Sequence, residues 1–144
     1  MNWNLTNSLV RVVREAISGM ALGVDTLFAL SVLELKKEGY DIKLHCAVPC
    51  FNQDRLWPKY SQEQYHDILD KADIVKIVTE SEYDQFVMNI QNYYMVDNSD
   101  KVLAVWDGTP GGTRNCVEYA KEKGKEIYRI YPKIFPLQVE KLEY

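Results

Sequence analysis

The strongest constraint on the fold of this chain is a regular alternation of short apolar segments with longer amphipathic ones. Segments typical of buried strands occupy residues 16–18, 42–48, 74–78, 102–106 and 127–131, and segments typical of helices occupy residues 5–14, 25–37, 61–71, 85–97 and 113–123. Strands that are each followed by a helix pair in parallel, with helices covering both faces of the sheet. The sequence therefore predicts a Rossmann-like α/β fold, a three-layer sandwich with a mostly parallel sheet.

Length and composition are typical of one globular domain. The chain has 144 residues, of which 47% are hydrophobic and 26% charged, and no linker or low-complexity stretch divides it. We therefore predict a single domain over residues 1–144. No apolar run approaches the ~20 residues of a membrane span, and the first residues lack the pattern of a secretion signal. These features predict a cytoplasmic protein that has no membrane partner.

Charge and cysteine content argue against other classes of protein. The net charge of −4 disfavours nucleic-acid binding, which depends on Lys and Arg side chains that neutralise phosphates. The three cysteines, Cys46, Cys50 and Cys116, are too few for a disulfide framework and fit a reducing compartment. Because His45 and Cys46 are neighbours in a predicted strand, they point to opposite faces, and we predict no metal site.

The loops that follow the predicted strands indicate one ligand-binding edge of the sheet. Ligands of parallel α/β sheets bind beyond the carboxyl ends of the strands. Three loops at that edge are rich in glycine or polar residues, namely 18–25 (SGMALGVD), 49–58 (PCFNQDRLWP) and 107–113 (DGTPGGT). The connections at the opposite edge are short and charged. The sequence therefore predicts one site on one edge.

The loop DGTPGGT has the composition of a phosphate-binding turn. Gly111 and Gly112 can adopt positive φ and let backbone amides approach an anion. Thr113 lies where an N-cap hydroxyl would, at the positive end of the following helix, where free amides favour phosphate. A plain loop before a capped helix is the alternative.

The other two loops allow both a ligand-binding and a structural interpretation. In SGMALGVD, Asp25 either bonds a ligand hydroxyl, such as that of a ribose, or caps its own helix. In the middle loop, Trp57 either stacks on a base or pins the loop, and Gln53, Asp54 and Arg55 are further polar candidates. Neither glycine loop matches GxGxxG or GxxxxGK[ST], so hydrolysis of the P-loop kind has no support.

Four segments together resemble a known family: 18–25 (SGMALGVD), 56–58 (LWP), 88–100 (MNIQNYYMVDNSD) and 102–120 (VLAVWDGTPGGTRNCVEYA). They are similar to the YpsA-like family of the SLOG superfamily, which also includes DprA and the LOG phosphoribohydrolases. The resemblance implies a Rossmann-like fold and a nucleotide-derived ligand, of the ADP-ribose, NAD or AMP type. By position it implies a ligand site made of Ser18, Gly19, Met20, Gly23, Asp25, Trp57, Gly108, Gly111, Gly112 and Thr113. Asn92 and Asp107 are further ligand-binding candidates.

The chain departs from the family pattern at two places. Family members begin with a strand that ends in a Gly-His-Arg-like turn, and no such segment precedes the first predicted helix. Either the start of the chain is misassigned, or the sheet lacks this strand and a second subunit covers the gap, in a homo-oligomer. Relatives also commonly have Arg where this chain has Gln91, which offers phosphate a neutral hydrogen bond in place of a charge-assisted one.

A third comparison concerns catalysis. Phosphoribohydrolases and the similar nucleoside deoxyribosyltransferases place Glu three residues after the Thr of their GT motif, where its carboxylate acts on the sugar. Cys116 occupies that position here, so we predict no catalytic residue and a domain that binds or senses its ligand. Two alternatives stay open. One is cleavage of an N-glycosidic bond by another acid, Asp25, Asp97 or Asp107, and the other is DprA-like binding of single-stranded DNA.

Overall fold

A computed structural model of the chain describes residues 13–144, so the helix predicted over 5–14 lies almost wholly outside the described residues. Strands and helices alternate as the sequence predicts. In chain order they are β1 (Glu15–Ser18), α1 (Val24–Lys37), β2 (Lys43–Val48), α2 (Lys59–Lys71), β3 (Ile74–Ile77), α3 (Gln85–Asp97), β4 (Lys101–Val105), α4 (Gly112–Glu122), β5 (Glu126–Ile130) and β6 (Val139–Leu142).

The strands form two three-stranded sheets, in the orders β1-β2-β3 and β4-β5-β6. Strand β2 pairs in parallel with both β1 and β3, and β4 pairs in parallel with β5. Each parallel pair is connected through a helix, as parallel pairing requires. The mostly parallel, Rossmann-like α/β architecture is therefore confirmed.

Two details of the sheet differ from the prediction. Within residues 13–144 the strands do not form one continuous sheet. Here β1 pairs only with β2, and β4 pairs only with β5, so no strand pairing joins the two sheets. The segment after Pro132 contains β6, which pairs antiparallel with β5 and was not predicted. Its sequence, VEKL, is short and half-charged, and an ion pair of 3.0 Å between Arg129 and Glu140 supports it from across the strand pair. Such a strand has too few apolar residues for its periodicity to be recognised.

Each sheet has its own apolar core. Leu35 of α1 and Ile68 of α2 pack with Leu44 of β2, and all three are at most 2% exposed. Val117 of α4 packs with Ile127 of β5, and both are completely buried. Full burial of such a side chain stabilises the fold by about 1.5–3 kcal/mol.

Helix α3 connects the two halves. It packs against β2 of the first sheet and against α4, which covers the second. The hydroxyl of Tyr94 lies 2.9 Å from Nε2 of the buried His45, whose Nδ1 lies 2.7 Å from Oε1 of Glu15. This chain of side chains fixes α3 on the first sheet. No helix within residues 13–144 has the length and apolar character needed to cross a bilayer.

Candidate functional site

The turn after β1 is held by its own polar groups. The Ser18 hydroxyl donates to the carbonyl oxygen of Asp25 at 2.9 Å and accepts from the amide of Met20 at 3.2 Å. The Thr26 hydroxyl donates to the carbonyl oxygen of Ala21 at 2.9 Å. Met20, which adopts a positive φ of 61°, is completely buried in the core. Ser18 and Met20 therefore shape the turn from within.

Asp25 closes this turn with its carboxylate. Oδ2 accepts a hydrogen bond from the amide of Ala21 at 3.2 Å. Burial raises the pKa of the carboxyl group, and the bond from Ala21 offsets this only in part. Helix α1 itself has Gly23 at its N-cap, with φ 90° and no side-chain cap. Asp25 thus bonds the backbone of its own loop and does not cap α1, so the expectation of a helix cap was wrong. Its second oxygen makes no hydrogen bond to a described residue.

Two carboxamides converge on Gly19. Nε2 of Gln53 and Nε2 of Gln91 both donate to its carbonyl oxygen, at 3.0 and 2.8 Å, and Gln91 also donates to the carbonyl oxygen of Ala47 at 2.8 Å. A Cβ atom on Gly19 would lie 2.7 Å from Gln91 Nε2 and 3.0 Å from Asp25 Oδ2. A larger residue here would therefore displace the carboxamide of Gln91. Gln91 is 5% exposed and serves the backbone.

The turn after β4 differs, because the backbone amides at its end, where α4 begins, have no partner among the described residues. Gly108 and Gly111 adopt φ of 93° and 150°, a region that favours glycine. Gly111 is the N-cap of α4, and no side chain caps this helix. The expectation that Thr113 is the N-cap was therefore wrong: Thr113 is the second residue of the helix. The amides of 112–114 donate to no residue in the described part of the chain, and these residues are exposed.

Asp107 lies in this second turn, and its carboxylate bonds a residue of the same turn. Its Oδ1 accepts hydrogen bonds from the Thr109 hydroxyl at 2.6 Å and from the Thr109 amide at 3.0 Å. These bonds lower the pKa of the exposed carboxyl group, the hydroxyl contributing most. Asp107 is thus an ionised residue that shapes the loop.

Neighbouring residues of α3 are bonded to the two turns. Gln91 donates to Gly19, and Nδ2 of Asn92 lies 3.4 Å from the carbonyl oxygen of Gly112. Cys116 lies close enough to Asp25 for that carboxylate to contribute to its pKa, which burial chiefly raises to about 11. The Cys116 thiol is therefore protonated at neutral pH, unlike an activated nucleophile.

Helices α3 and α4 form an open groove of about 600 Å³ beside the second turn. Asn92 contributes to it, so it is continuous with the turn at Gly112. The rest of its lining is polar, aromatic and charged: Asn89, Tyr93, Asn115, Glu118, Tyr119, Lys121 and Glu122. Small-molecule sites typically have volumes of roughly 300–1,000 Å³. The groove is therefore large enough for part of a nucleotide.

The loop between β2 and α2 contains Trp57, for which the sequence allows two roles: stacking on a base or pinning the loop. Trp57 packs edge-to-face on Tyr65, with 5.1 Å between the ring centroids, and lies against the first core. Trp57 thus anchors its loop, and its role as a wall for a base stays a prediction. Gln53, by contrast, reaches the Gly19 turn, which a loop composition alone does not reveal. Among residues 13–144, no three His, Cys, Asp or Glu side chains converge as a metal site would require.

Comparison with known proteins identifies relatives of this architecture. A YpsA family model, described as "YspA SLOG family", matches residues 1–134. The chain is 35% identical to the "Uncharacterized SPbeta prophage-derived protein YoqJ" of Bacillus subtilis (strain 168), over 89% of the chain and 88% of that protein. It is 38% identical to a UPF0398 protein of Bacillus cereus (strain B4264), over 80% of the chain but 64% of that longer relative. With the match spanning both turns and the helix between them, the chain belongs to the YpsA family of SLOG proteins.

Proposed function

We propose that this protein is a cytoplasmic domain that binds or senses a nucleotide-derived small molecule of the ADP-ribose, NAD or AMP type. The observation that carries the proposal is the uncapped N-terminus of α4 with its exposed amides. Asn92 of α3 bonds Gly112 there, and its neighbour Gln91 bonds Gly19 of the other turn. Unsatisfied amides at the positive end of a helix attract phosphate. The ligand phosphate would bind at Gly111, Gly112 and Thr113, and the ribose would lie near Asp25.

Binding accounts for the site better than catalysis by the phosphoribohydrolase route. Cys116 occupies the position where those enzymes place a glutamate, and its thiol holds its proton because burial raises its pKa to about 11. Asp107 is bonded to Thr109 and fully exposed, and Asp97 accepts a hydrogen bond from the Tyr119 hydroxyl at 2.8 Å. These carboxylates serve the loop and the α3–α4 contact.

Gly112→Asp tests the phosphate site. No atom lies within 4 Å of a Cβ built on Gly112, and its φ is not in the left-handed region, so the fold should accept the side chain. The new carboxylate should repel a phosphate and compete for the same amides. We expect thermal denaturation to show stabilisation of the natural chain by ADP-ribose, NAD or AMP, and none for Gly112→Asp.

Gly112→Ala is the matched control, because it adds a Cβ without a charge and should keep the ligand-induced shift. Equal shifts in the natural chain and in Gly112→Asp would contradict the phosphate site. The absence of a shift for all three ligands with the natural chain would contradict the proposed ligand class.

One observation favours a second candidate, cleavage of an N-glycosidic bond. A raised pKa suits Asp25 to act as a general acid that protonates the departing base as the C–N bond breaks. Water would form the new C–O bond at the sugar carbon, and the proton that it releases would return to Asp25. Incubation with nucleoside monophosphates should then release free base, and Asp25→Asn should abolish the release. No free base above the uncatalysed level would exclude this activity for the substrates tested.

A further inference from the structure

One buried acceptor at the first turn has no donor. Gln53 is 8% exposed, and its Nε2 donates to the carbonyl oxygen of Gly19. Its Oε1 is also buried, yet it accepts no hydrogen bond from any residue in the part of the chain that the structure describes. A buried acceptor without a donor destabilises a folded protein. This oxygen is therefore a suitable partner for a donor that arrives with a ligand.

The loop that carries Gln53 is held on both sides. Nε2 of Gln62 donates to the carbonyl oxygen of Asp54 at 2.8 Å. On the other side, Oδ1 of Asn52 accepts a hydrogen bond from the amide of Tyr83 at 3.2 Å. Because both neighbours of Gln53 are fixed, its carboxamide is preorganised at the Gly19 turn.

The free polar groups of the two turns differ in kind. At the first turn they are acceptors, Gln53 Oε1 and one oxygen of Asp25. At the second turn they are the donors at the start of α4. Acceptors repel a phosphate and amides attract it, whereas a sugar hydroxyl can donate to a carboxamide oxygen. A sugar phosphate is thus favoured in one orientation, with its sugar at Gly19 and its phosphate at Gly112.

We propose that Gln53 determines ligand specificity by accepting a hydrogen bond from a ribose hydroxyl, so that the site selects ribonucleotide-type ligands over their deoxy analogues. This inference rests on the proposed function, because it requires the phosphate to lie at α4. Removal of the hydroxyl would leave the buried oxygen of Gln53 unpaired again. The resulting loss of affinity should be about tenfold.

The test is calorimetric titration of the full chain with AMP, 2′-deoxy-AMP and 3′-deoxy-AMP. We expect the natural chain to bind AMP about tenfold more tightly than at least one deoxy analogue. Gln53→Met keeps the length of the side chain and removes both polar atoms, so the ratio should fall to about one. Gln62→Met is the matched control: it removes a contact of the same loop but leaves Gln53 Oε1 in place, so the discrimination should persist.

The outcomes separate this inference from the proposed function. Equal binding of AMP and both deoxy analogues to the natural chain overturns the role of Gln53, while the phosphate site stands. This outcome is measured on the natural chain alone, so it does not depend on whether a variant folds. Discrimination that persists unchanged in Gln53→Met also overturns that role. If AMP, ADP-ribose and NAD all fail to bind the natural chain, the proposed function is wrong and this inference falls with it.

Discussion

The carbonyl oxygen of Gly19 accepts hydrogen bonds from both Gln53 and Gln91, which fixes the first turn of the site. The same residue lies so close to Gln91 and Asp25 that a methyl group would force the Gln91 carboxamide to shift. At the scale of single residues, this turn is therefore built by internal contacts, and the free groups that remain, on Gln53 and Asp25, are acceptors. The second turn differs because Gly112 has open space around it.

This contrast predicts opposite results for two alanine substitutions. Gly19→Ala should lower the free energy of unfolding by about 1–3 kcal/mol, because the new methyl group displaces Gln91 from its bonds. Gly112→Ala should leave stability nearly unchanged. Urea denaturation followed by circular dichroism measures both. A Gly19→Ala chain as stable as the natural one would show that the turn adapts without cost.

Asp25 in the first turn and Asp107 in the second should make the free energy of unfolding depend on pH in opposite directions. Burial raises the pKa of Asp25 above 3.8, so its contribution is present below that value and is lost as pH rises through the raised pKa. Hydrogen bonds from Thr109 lower the pKa of Asp107, so its contribution is present above 3.8 and is lost as pH falls through the lowered pKa.

The measurement compares Asp25→Asn and Asp107→Asn with the natural chain in urea denaturation from about pH 3 to about pH 7. The stability of the natural chain relative to Asp25→Asn should fall as pH rises, and its stability relative to Asp107→Asn should rise. Parallel pH profiles for the natural chain and Asp25→Asn would mean that this carboxyl has the same pKa in the folded and unfolded chains.

At the scale of elements, α3 determines the geometry of the site. Its residues Gln91 and Asn92 reach the two turns, and Tyr94 reaches His45 in β2. Adjacent residues of a helix point in directions about 100° apart, so consecutive side chains can contact different neighbours. The position of α3 therefore sets how the turn after β1 and the turn after β4 lie relative to each other.

Tyr94→Phe should loosen α3 from the first sheet. The substitution removes the hydroxyl 2.9 Å from His45 Nε2 and leaves that buried atom unpaired, at a cost of about 1–2 kcal/mol in the free energy of unfolding. Tyr93→Phe is the control, because Tyr93 is half-exposed and its ring contact with Tyr119 is kept. Equal effects of the two substitutions on the urea midpoint would argue against the anchoring role.

At the scale of the whole molecule, two cores are joined through one helix. The first contains Leu44 and Ile68, and the second contains Val117 and Ile127. Because α3 contacts β2 on one side and α4 on the other, we expect the two halves to unfold together.

Ile68→Ala and Ile127→Ala test this coupling. Both side chains are completely buried, and each truncation should lower the free energy of unfolding by about 2–5 kcal/mol. Each should shift one common transition, seen alike by circular dichroism and by amide hydrogen exchange in both halves. Two separable transitions, each moved by one variant, would show that α3 does not couple the cores.

Local periodicity predicted much of this architecture, because burial of one face imposes a repeat on each segment. Helix α3 was predicted with its observed bounds, Gln85–Asp97, and the glycine turns were placed correctly at the carboxyl ends of β1 and β4. Strand β6 was missed because its four residues alternate weakly. The N-cap of α4 was misplaced because Gly111, which has no capping side chain, precedes a threonine that has one.

The sequence by itself determined the order of the elements and the two turns of the site, since both depend on residues that are neighbours in the chain. Only the tertiary structure decided which polar groups of those turns are used internally. Gln53 and Gln91 reach Gly19 from 34 and 72 residues away, and burial that raises the pKa of Asp25 comes from packing. Such contacts form between distant segments once the fold is complete, so no local pattern of residues specifies them.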